Sequence, residues 1–491
     1  MKILMVSPDH PETFWSFKYA LKFVSKKATE PPLGLLTIAA MLPGEWEKKL
    51  IDMNVTKLRN DDIEWADMVF LSGMSIQRES AREIIERCNK LDTVLVAGGP
   101  LFTAEFMEFE GVDHFVLNDA EATLPLFLED LENECPEHIY TSSEFPSLKN
   151  TPVPMWELID MKNYTTLDIQ YSRGCPFQCE FCDISTLFGR KIRTKSKEQV
   201  ITELDRLYTL GWRGGIFIVD DNFIGNKKKL KRDILPALIK WQERKRYPFA
   251  FGTEASIDLS DDDELMILMK TAGFNSVFIG IETTNEDSLT ECSKIHNKNR
   301  DLVGCVKKMH DFGLLVKGGF IVGFDNDPPT IFNQLSTFIQ ESGVVTAMVG
   351  LLNAPRGSKL YDRLDGEDRL IKDFSGDNTD SSINFIPRMN PEKLVNGYKQ
   401  IINNIYEPKA YYQRLRQLLV NYNPVKIKSN FQFRNIGAFF KSILFLGILG
   451  KERLYFWRLL SWTVFKKPQL FSLALTYAIY GFHFRKIFKL D

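Results

Sequence analysis

Short apolar runs alternate with amphipathic stretches along the first 150 residues of the chain. Five of these runs have the length and continuous apolar character of buried strands: KILMVS (2–7), KLID (49–52), DMVFLSG (67–73), TVLVAGG (93–99) and DHFVLN (113–118). Helical patterns fall between or after them, at PLGLLTIAAML (32–42), SAREIIERCNKL (80–91) and ATLPLFLEDLE (122–132). The alternation predicts a doubly wound parallel sheet, which binds ligands just beyond the carboxyl ends of its strands.

A second alternating series follows a proline-containing linker, TPVPMWELIDMKNY (151–164). Six further runs have strand character: TTLDIQYS (165–172), GGIFIVDDN (214–222), FAFGTEAS (249–256), SVFIGIE (276–282), LVKGGFIVGF (315–324) and AMVGLLN (347–353). Helical patterns separate them, and each run ends on polar or small residues. Six βα units of this kind predict a partial (β/α)6 barrel, with its active site at the C-terminal edge of the strands.

From about residue 385 onward the pattern becomes helical, which gives three expected domains: 1–150, 151–385 and 386–491. The last part of the chain is apolar, aromatic and basic, with 12 Lys or Arg and 2 Asp or Glu from Asn423 onward. Its uncharged runs, 442–450 and 468–484, fall short of the roughly 20 residues needed to span a bilayer. We expect interfacial helices that bind an anionic membrane through aromatic side chains such as Phe439, Phe440, Trp457, Trp462 and Phe471. The alternative is a helical subdomain packed on the barrel.

The bulk composition is that of an ordinary folded protein, at 44% hydrophobic and 26% charged residues. Cys88, Cys135, Cys292 and Cys305 are scattered, and seven cysteines in all suggest no disulfide framework. That usage favours a reducing cytoplasm. Residues 1–12 lack the features of a signal peptide, and no nucleic-acid partner is expected.

Three of the seven cysteines fall within eight residues, in the segment CPFQCEFC. Cys175, Cys179 and Cys182 have the spacing C-x3-C-x2-C and follow the first predicted barrel strand. Three thiolates on one tight loop can ligate three corners of a [4Fe–4S] cluster and leave one iron open. That iron can chelate S-adenosylmethionine (SAM). Structural zinc is the main competitor, but it requires four ligands, and no second Cys or His pair is close in sequence.

This spacing resembles the signature of the radical SAM superfamily, and the resemblance extends along the predicted barrel. Phe181, directly before the last cysteine, occupies the position that usually lies against the adenine of SAM. Polar residues at the ends of later strands match positions that hold the amine or ribose of SAM in this superfamily. They are Asp220, Asp221, Asn222, Glu254 and Glu282. The resemblance assigns no catalytic side chain, and each carboxylate could instead be a salt-bridge partner at the barrel mouth.

The first domain resembles the cobalamin-binding domain that a large radical SAM subgroup carries, through PLGLLTIAAML, the AGGP turn and NDAEAT. The Asp-x-His-x-x-Gly motif that supplies a histidine to cobalt is missing, and His10 and His114 lack its context. The resemblance then implies cobalamin with a displaced tail, its lower face covered by the loop at 73–77. The implied cobalamin contacts are Gly73, Ser75, Gln77, Gly98, Gly99, Glu121 and Thr123.

The C-terminal segments LLNAPRGSKLYDRL, NFIPRM, YEPKAYYQRL and IYGFHF resemble the extension of enzymes related to the hopanoid C-2 methylase. The resemblance implies a cobalamin-dependent radical SAM C-methyltransferase that acts on an unactivated carbon, with the [4Fe–4S] cluster, SAM and cobalamin as cofactors. Alternatives are a radical cyclase or rearrangement enzyme without net methyl transfer, an enzyme without cobalamin, and an iron–sulfur regulator without turnover. A methylthiotransferase is disfavoured because Cys88 and Cys135 are too few for its extra cysteines.

The expected partners follow from these features. The apolar, basic tail suggests a lipid or other hydrophobic substrate and peripheral association with the inner face of the membrane. The cluster implies an external electron donor of the flavodoxin or ferredoxin type. We expect a cytoplasmic protein.

Overall fold

The computed structural model describes residues 1–372, 374–424 and 434–490, and it begins with a six-stranded parallel sheet. Its strands are β1 (Lys2–Ser7), β2 (Glu47–Asp52), β3 (Met68–Ser72), β4 (Val94–Gly98), β5 (His114–Val116) and β6 (Ile139–Tyr140). The helices are α1 (Lys18–Val24), α2 (Leu33–Met41), α3 (Asn60–Glu64), α4 (Arg78–Lys90), α5 (Pro100–Glu105) and α6 (Ala120–Glu132). The predicted doubly wound sheet is confirmed.

The strand order is β2-β1-β3-β4-β5-β6, and every pair is parallel. Residues 3–6 of β1 have no accessible surface, because helices cover both faces of the sheet. The order reverses direction between β1 and β3, where a crevice forms beyond the carboxyl ends of the strands. The sequence pattern did not predict the short β6 or the short helices α1, α3 and α5.

The second sheet also has six parallel strands, in the order β14-β13-β12-β11-β10-β7. They are β7 (Thr166–Ile169), β10 (Gly215–Ile218), β11 (Ala250–Ala255), β12 (Phe274–Glu282), β13 (Leu315–Val322) and β14 (Ala347–Leu351). A two-stranded antiparallel hairpin, β8 (Ser172–Arg173) and β9 (Arg193–Thr194), follows β7. No pairing joins β7 to β14 among the described residues, so the predicted partial barrel is confirmed.

Helices cover the outside of the barrel. They are α7 (Ile184–Leu187), α8 (Lys197–Thr209), α9 (Lys227–Lys229), α10 (Leu235–Lys245), α11 (Asp263–Ala272), α12 (Glu286–Glu291), α13 (Leu302–Asp311), α14 (Ile331–Ser342) and α15 (Lys359–Gly366). Local sequence sets their ends: Ser196 and Gln199 form a capping box at the start of α8, and Gly273 ends α11 with φ 101°. The predicted linker is not a loose tether, because Trp156 within it is fully buried.

The C-terminal part is helical, as predicted: α16 (Pro391–Tyr406), α17 (Pro408–Asn421), α18 (Arg434–Ser442), α19 (Arg453–Lys466) and α20 (Phe471–Ile487). A π-helical turn, Ile443–Ile448, continues α18. The part of the predicted tail at 425–433 and the last residue lie outside the described residues. None of the helices in the described ranges is long and apolar enough to cross a membrane.

The C-terminal helices divide into a packed part and an exposed part. In α20, Phe484 stacks on Phe14 with ring centroids 4.3 Å apart, and the Tyr411 hydroxyl donates to the carbonyl of Tyr477. This helix is therefore the packed subdomain that the sequence left as the alternative. By contrast, α18 and α19 carry large apolar side chains on their outer surface. Phe440 and Trp457 are exposed, whereas Phe439, Trp462 and Phe471 pack partly against the core.

Candidate active site

The three clustered cysteines lie on a tight loop held by the β8–β9 hairpin. The Cys175 N–H donates to the carbonyl of Gly189 at 3.2 Å, and the Cys182 N–H donates to the carbonyl of Cys179 at 3.1 Å. Gly174 precedes the loop with φ 93°, and a Cβ there would lie 2.7 Å from the Gly189 oxygen. Only glycine fits this position, because the backbone is left-handed and the opposing strand is in close contact.

The cysteine side chains suit a metal cluster better than free thiols. Burial raises the pKa of Cys175, Cys179 and Cys182, so an ionised thiolate here needs a nearby cation. Iron supplies that charge in Fe–S proteins, in which cysteine thiolates are the usual ligands. No three His, Cys, Asp or Glu side chains in the described ranges are arranged around a single metal ion. Three cysteines on one loop are nevertheless ligands of the kind that Fe–S clusters use.

A buried lysine lies beside this loop. Lys294 Nζ is 2.6 Å from Glu282 Oε1, and neither side chain is more than slightly exposed. Burial alone would lower the pKa of Lys294, but the charges of Glu282 and of the thiolates raise it above its ordinary value. The lysine is also 5.9 Å from the centroid of the Phe181 ring. A fixed positive charge therefore lies between the predicted SAM residues Glu282 and Phe181 and the cysteines.

The predicted residues after β10 surround the base of the cysteine loop. Asp220 is fully buried and accepts hydrogen bonds from the Tyr171 N–H at 2.8 Å and the Ser172 hydroxyl at 2.6 Å. Asp221 accepts from the Gly174 N–H at 3.3 Å, and burial raises its pKa to about 6. Asp220 thus fixes the start of β8, and Asp221 fixes the beginning of the cysteine loop.

Asn222 and Glu254 are the predicted SAM residues with unused hydrogen-bonding capacity. Asn222 Nδ2 donates to Ser256 Oγ at 3.2 Å, while its Oδ1 is buried and accepts no hydrogen bond from the described residues. Asn222 and Ser256 line a pocket of about 320 Å³ beside the cysteine loop. Burial, with the charges of Asp221 and Glu30, raises the pKa of Glu254 to about 8. Asn222 Oδ1 and the Glu254 carboxyl therefore retain hydrogen-bonding capacity that the described residues do not use.

Ionisable side chains of β7, β11 and β13 line the barrel lumen, which we call the chamber. Strand register places Glu254, Phe278 and Lys317 side by side on β11, β12 and β13. Burial and the charge of Glu30 raise the pKa of Asp168 well above its ordinary value, and Asp168 Oδ1 is buried without a partner in the described chain. Burial also lowers the pKa of Lys317. Burial and neighbouring charges therefore favour the protonated forms of Asp168 and Glu254, which can donate hydrogen bonds.

Residues 14–30 of the first domain and helix α20 close this chamber. Trp15 contacts Phe278 edge-on at 5.6 Å between ring centroids, and Phe17 contacts Tyr480 at 4.7 Å. Glu30 retains accessible surface, yet burial raises the pKa of its carboxyl. Its charge interactions with Lys317 and Asp168 place Glu30 beside the lumen. All three parts of the chain therefore border the chamber.

The predicted cobalamin residues lie along the carboxyl edge of the first sheet. A Cβ on Gly98 would lie 2.6 Å from the Val116 oxygen, and Gly99, at φ 87°, would clash with Ser72 Oγ. This AGGP turn is a backbone surface without side chains, onto which a flat ligand can be placed. The edge also includes Gly73, where an added Cβ would lie 3.5 Å from Pro8 Cγ. Packing against Val116 and Ser72 thus accounts for glycine at 98 and 99, and their contact with cobalamin stays a prediction.

The loop at 73–77 is held from both sides. Gln77 Nε2 donates to the Pro8 carbonyl at 2.6 Å, and Ser75 Oγ lies 3.3 Å from Glu105 Oε1. Gly376, from the C-terminal part, packs so closely on Ile76 that a Cβ would lie 2.5 Å from its nitrogen. The loop predicted to cover the lower face of cobalamin is thus fixed against the rest of the protein.

Glu121 and Thr123 have structural partners in this edge. The Thr123 hydroxyl is fully buried and donates to the Leu117 carbonyl at 2.9 Å. Glu121 accepts from Arg173 at 2.8 Å and from the Thr151 hydroxyl at 2.7 Å. Arg173 also lies 3.0 Å from Asp119. The structure therefore uses Glu121 to join the first domain to the cysteine loop, and leaves Thr123 no free group for a ligand.

Sequence reasoning missed several residues that the fold brings to the site. Lys294 follows the strand end IGIE by twelve residues, in a loop with no recognisable motif. Lys317 carried a usable signal, because a single lysine in the apolar strand LVKGGFIVG must face a polar lumen or a ligand. Glu30, Asp168 and Arg173 acquire their surroundings only through contacts between domains, which no local pattern shows.

Three family models match successive parts of the chain. They are the B12 binding domain at 23–128, the radical SAM superfamily at 169–335 and a domain of unknown function at 358–490. Among solved structures, the cobalamin-dependent S-adenosylmethionine radical enzyme OxsB with aqua-cobalamin bound has a TM-score of 0.64 at 14% identity. The match covers 99% of this chain and 79% of that one.

Two curated relatives extend over almost the whole chain. An uncharacterised methyltransferase of Synechocystis sp. is 38% identical over 99% of this chain and 91% of its own length. The hopanoid C-2 methylase of Rhodopseudomonas palustris is 34% identical over 93% of this chain and 88% of its own length. The chain therefore belongs to the cobalamin-binding radical SAM family of the hopanoid C-2 methylase type, as a radical SAM methyltransferase with a [4Fe–4S] cluster, SAM and cobalamin as its cofactors.

Proposed function

We propose that this enzyme methylates an unactivated carbon of a lipid or similarly hydrophobic molecule that it takes from a membrane surface. The observation that carries this proposal is an exposed apolar and basic face on α18 and α19. The hopanoid C-2 methylase at 34% identity supports a lipid substrate. An unactivated C–H group is not nucleophilic, so the cofactors must supply radical chemistry and a methyl donor, while the protein supplies position and exclusion of water.

We assign the cofactor sites as follows. Cys175, Cys179 and Cys182 ligate the cluster. Phe181, Asp221, Asn222, Glu254 and Glu282 surround SAM, with Asp220 as the support of the preceding strand. The turn at 98–99 and the loop at 73–77 hold cobalamin. Residues 1–150 form the cobalamin domain, 151–385 the barrel and 386–491 the extension.

Within this site, the side chains position and shield rather than react. Lys294, paired with Glu282, keeps a positive charge beside the thiolates and can bind the carboxylate of SAM. Phe181 offers a ring face to the adenine. Trp15 and Tyr480 wall the chamber, and Lys317 with Glu30 can bind a polar group of the substrate near its reacting carbon.

The proposed membrane face, defined as residues 440–465, concentrates exposed apolar surface. It holds nine of the 22 large hydrophobic side chains that are exposed in the described chain. Leu454 is 72% exposed and Phe465 is 83% exposed. Lys451, Arg453 and Lys466 are exposed beside them. A water-soluble surface rarely gathers so much apolar area in one place, and mixed apolar and basic helices are typical of interfacial binding.

Rough magnitudes favour measurable binding. Each apolar side chain that leaves water contributes about 1.5–3 kcal/mol, and each Lys or Arg near an anionic surface contributes about 1 kcal/mol. Leu454 and Phe465 with three basic residues thus contribute about 6–9 kcal/mol. That range corresponds to dissociation constants from tens of micromolar to below micromolar.

Liposome flotation of the full chain tests this face. The double variant Leu454→Ser/Phe465→Ser should bind about a hundredfold more weakly at both low and high salt, because the apolar part is not screened. The variant Lys451→Gln/Arg453→Gln should lose binding chiefly at low salt. Met107→Ser/Ile267→Ser removes exposed apolar side chains elsewhere and serves as the control.

Point substitutions are preferable to truncation at residue 425, since truncation would also remove α20 from the core. If the wild-type chain never floats, even with anionic lipid at low salt, the membrane proposal is wrong.

The chemical outcome is tested by product mass. Lipids from cells with and without the protein should differ by one CH2 unit per methyl group transferred. A product of unchanged carbon number would instead indicate cyclisation or rearrangement.

A further inference from the structure

We propose that a basic face beside the cysteine loop docks a small acidic electron-transfer protein that reduces the cluster. The basic face consists of residues 190–191 on the β8–β9 hairpin and 228–232 at the start of the α9–α10 segment. This inference rests on the proposed cluster site at Cys175, Cys179 and Cys182. It adds the surface through which the electron enters.

The two segments form one continuous surface. Gly225, just before α9, lies so close to the hairpin that a Cβ there would be 2.8 Å from Ile192 Cδ1 and 3.6 Å from Pro176 Cδ. Lys229 Nζ lies 2.5 Å from the Thr194 hydroxyl. These contacts place the basic residues of both segments around the same edge of the barrel, where β7 and β10 are neighbours.

Most cations of this face have no acidic partner. The sequences GRKIRTK (189–195) and NKKKLKR (226–232) contain nine Lys or Arg and no Asp or Glu. Arg193, Lys195, Lys227 and Lys231 form ion pairs with carboxylates. In the described ranges the structure records no ion pair for the other five: Arg190, Lys191, Lys228, Lys229 and Arg232.

This local excess stands out because residues 1–422 hold 50 Lys or Arg and 62 Asp or Glu. Outside the basic C-terminal part, the acidic body would repel an acidic partner and favour binding at this face.

The cysteine loop reaches the surface at this face. Pro176, directly after Cys175, is exposed, and Cys175 donates its N–H to Gly189, the residue before Arg190. The pocket of about 320 Å³ is lined by Pro176 and Phe177 together with Lys228. A partner docked on this face would therefore place its redox centre close to the cysteine loop, at Pro176 and Phe177.

The electron balance needs a donor of a single low-potential electron. Flavodoxin in its hydroquinone form releases one electron and one proton to become the semiquinone, and the electron passes to the oxidised cluster. Flavodoxin is small and acidic and carries a flavin at its surface, which matches the charge and the exposed loop. It is the probe for the test below.

Binding and SAM cleavage by the cluster-reconstituted full chain test this assignment. Arg190→Glu/Arg232→Glu reverses two charges of the basic face. Lys393→Glu/Lys399→Glu makes the same charge change on α16, which packs with α14 on the opposite side of the barrel. Affinity for flavodoxin is measured at 50 and 300 mM salt, and 5′-deoxyadenosine formation is driven either by flavodoxin hydroquinone or by reduced methyl viologen.

We expect the basic-face variant to bind flavodoxin at least about tenfold more weakly at 50 mM salt, with a smaller difference at 300 mM. Its flavodoxin-driven cleavage should slow in parallel, while viologen-driven cleavage stays at the wild-type rate. The α16 variant should match the wild type throughout.

Unchanged flavodoxin affinity overturns the proposal, as does equal slowing with both donors. The proposal also fails if the basic-face variant binds flavodoxin normally but no longer floats with liposomes, because the face would then be a second membrane contact. If the wild type cleaves no SAM with viologen, the proposed function fails instead, and the binding comparison still decides the docking face.

Discussion

Replacing Arg173 with Met should remove the ion pairs that join the first domain to the cysteine loop. We expect the free energy of unfolding to fall while the fold is retained. Arg173 lies 3.0 Å from Asp119 and 2.8 Å from Glu121, and its side chain is 14% exposed. Removing one partner of a buried ion pair costs about 3–5 kcal/mol, because the remaining carboxylates lose their cation. Arg193 also pairs with Asp119, so Glu121 is the group left without compensation, and we expect about 3 kcal/mol.

At about 2–4 °C per kcal/mol for units of this size, the melting temperature should fall by about 6–12 °C. The shift should also depend on pH. Burial alone would raise the pKa of Glu121, but the charge and hydrogen bonds of Arg173, with the Thr151 hydroxyl, hold it below its ordinary value. In the wild type, this stabilisation is present above about pH 4.5 and is lost as the pH falls through the folded-state pKa.

In Arg173→Met, Glu121 is buried without that cation and its pKa rises. The stability of the variant should therefore be lowest relative to the wild type at pH 8. It should rise towards that of the wild type as the Glu121 carboxyl takes up a proton at lower pH. Differential scanning calorimetry at pH 8, 6.5 and 5.5 should show a gap to the wild type that narrows with falling pH. Arg206→Met, which breaks an exposed pair with Glu157, should cost under about 1 kcal/mol at every pH. Equal melting of Arg173→Met and the wild type at pH 8 would refute the reasoning.

Three further outcomes are expected. Cys179→Ala should lose the cluster, because two loop thiolates cannot hold it; iron analysis and SAM cleavage report this, and full retention of both would refute the assignment. Glu254→Gln should raise the melting temperature above about pH 8 but not at pH 5, since the folded state favours the protonated carboxyl and loses stability as the pH rises through about 8. Lys317→Met should leave SAM cleavage without substrate intact but weaken coupling to methyl transfer, seen as a higher ratio of 5′-deoxyadenosine to methylated product.

Much of the fold could be predicted from the sequence because buried strands and helices keep recognisable hydrophobic patterns. All six barrel strands and five strands of the first sheet were predicted, with ends that differ by a few residues. The two-residue β6 was missed because so short a strand carries no periodicity. Helix α1 was missed because its pattern, KYALKFV, is short and follows an irregular aromatic segment.

The site was predictable where chemistry demands a local spacing, and not where distant segments meet. The cysteine motif lies within eight residues, so its geometry is implied by the loop alone. Lys294 and Arg173 acquire meaning only from partners that are distant in sequence or lie in another domain, such as Glu121. Thr123 was predicted from a familiar stretch, but its hydroxyl donates to the Leu117 carbonyl, between β5 and its own helix. A sequence pattern shows which residue types are present, but not which of them the backbone already satisfies.

The stacking of Phe484 on Phe14 brings the two ends of the chain together, and this sets a timetable for synthesis. At about 5–20 residues per second, some 20–90 s separate the emergence of residue 30 from that of α20. During that interval the first sheet can fold, but Phe14 and Phe17 lack their neighbours in α20, and the chamber has no wall on that side. Translation therefore leaves a period in which bulky cofactors have an open route inward, and a chain terminated early displays an aromatic surface that quality-control proteases can recognise.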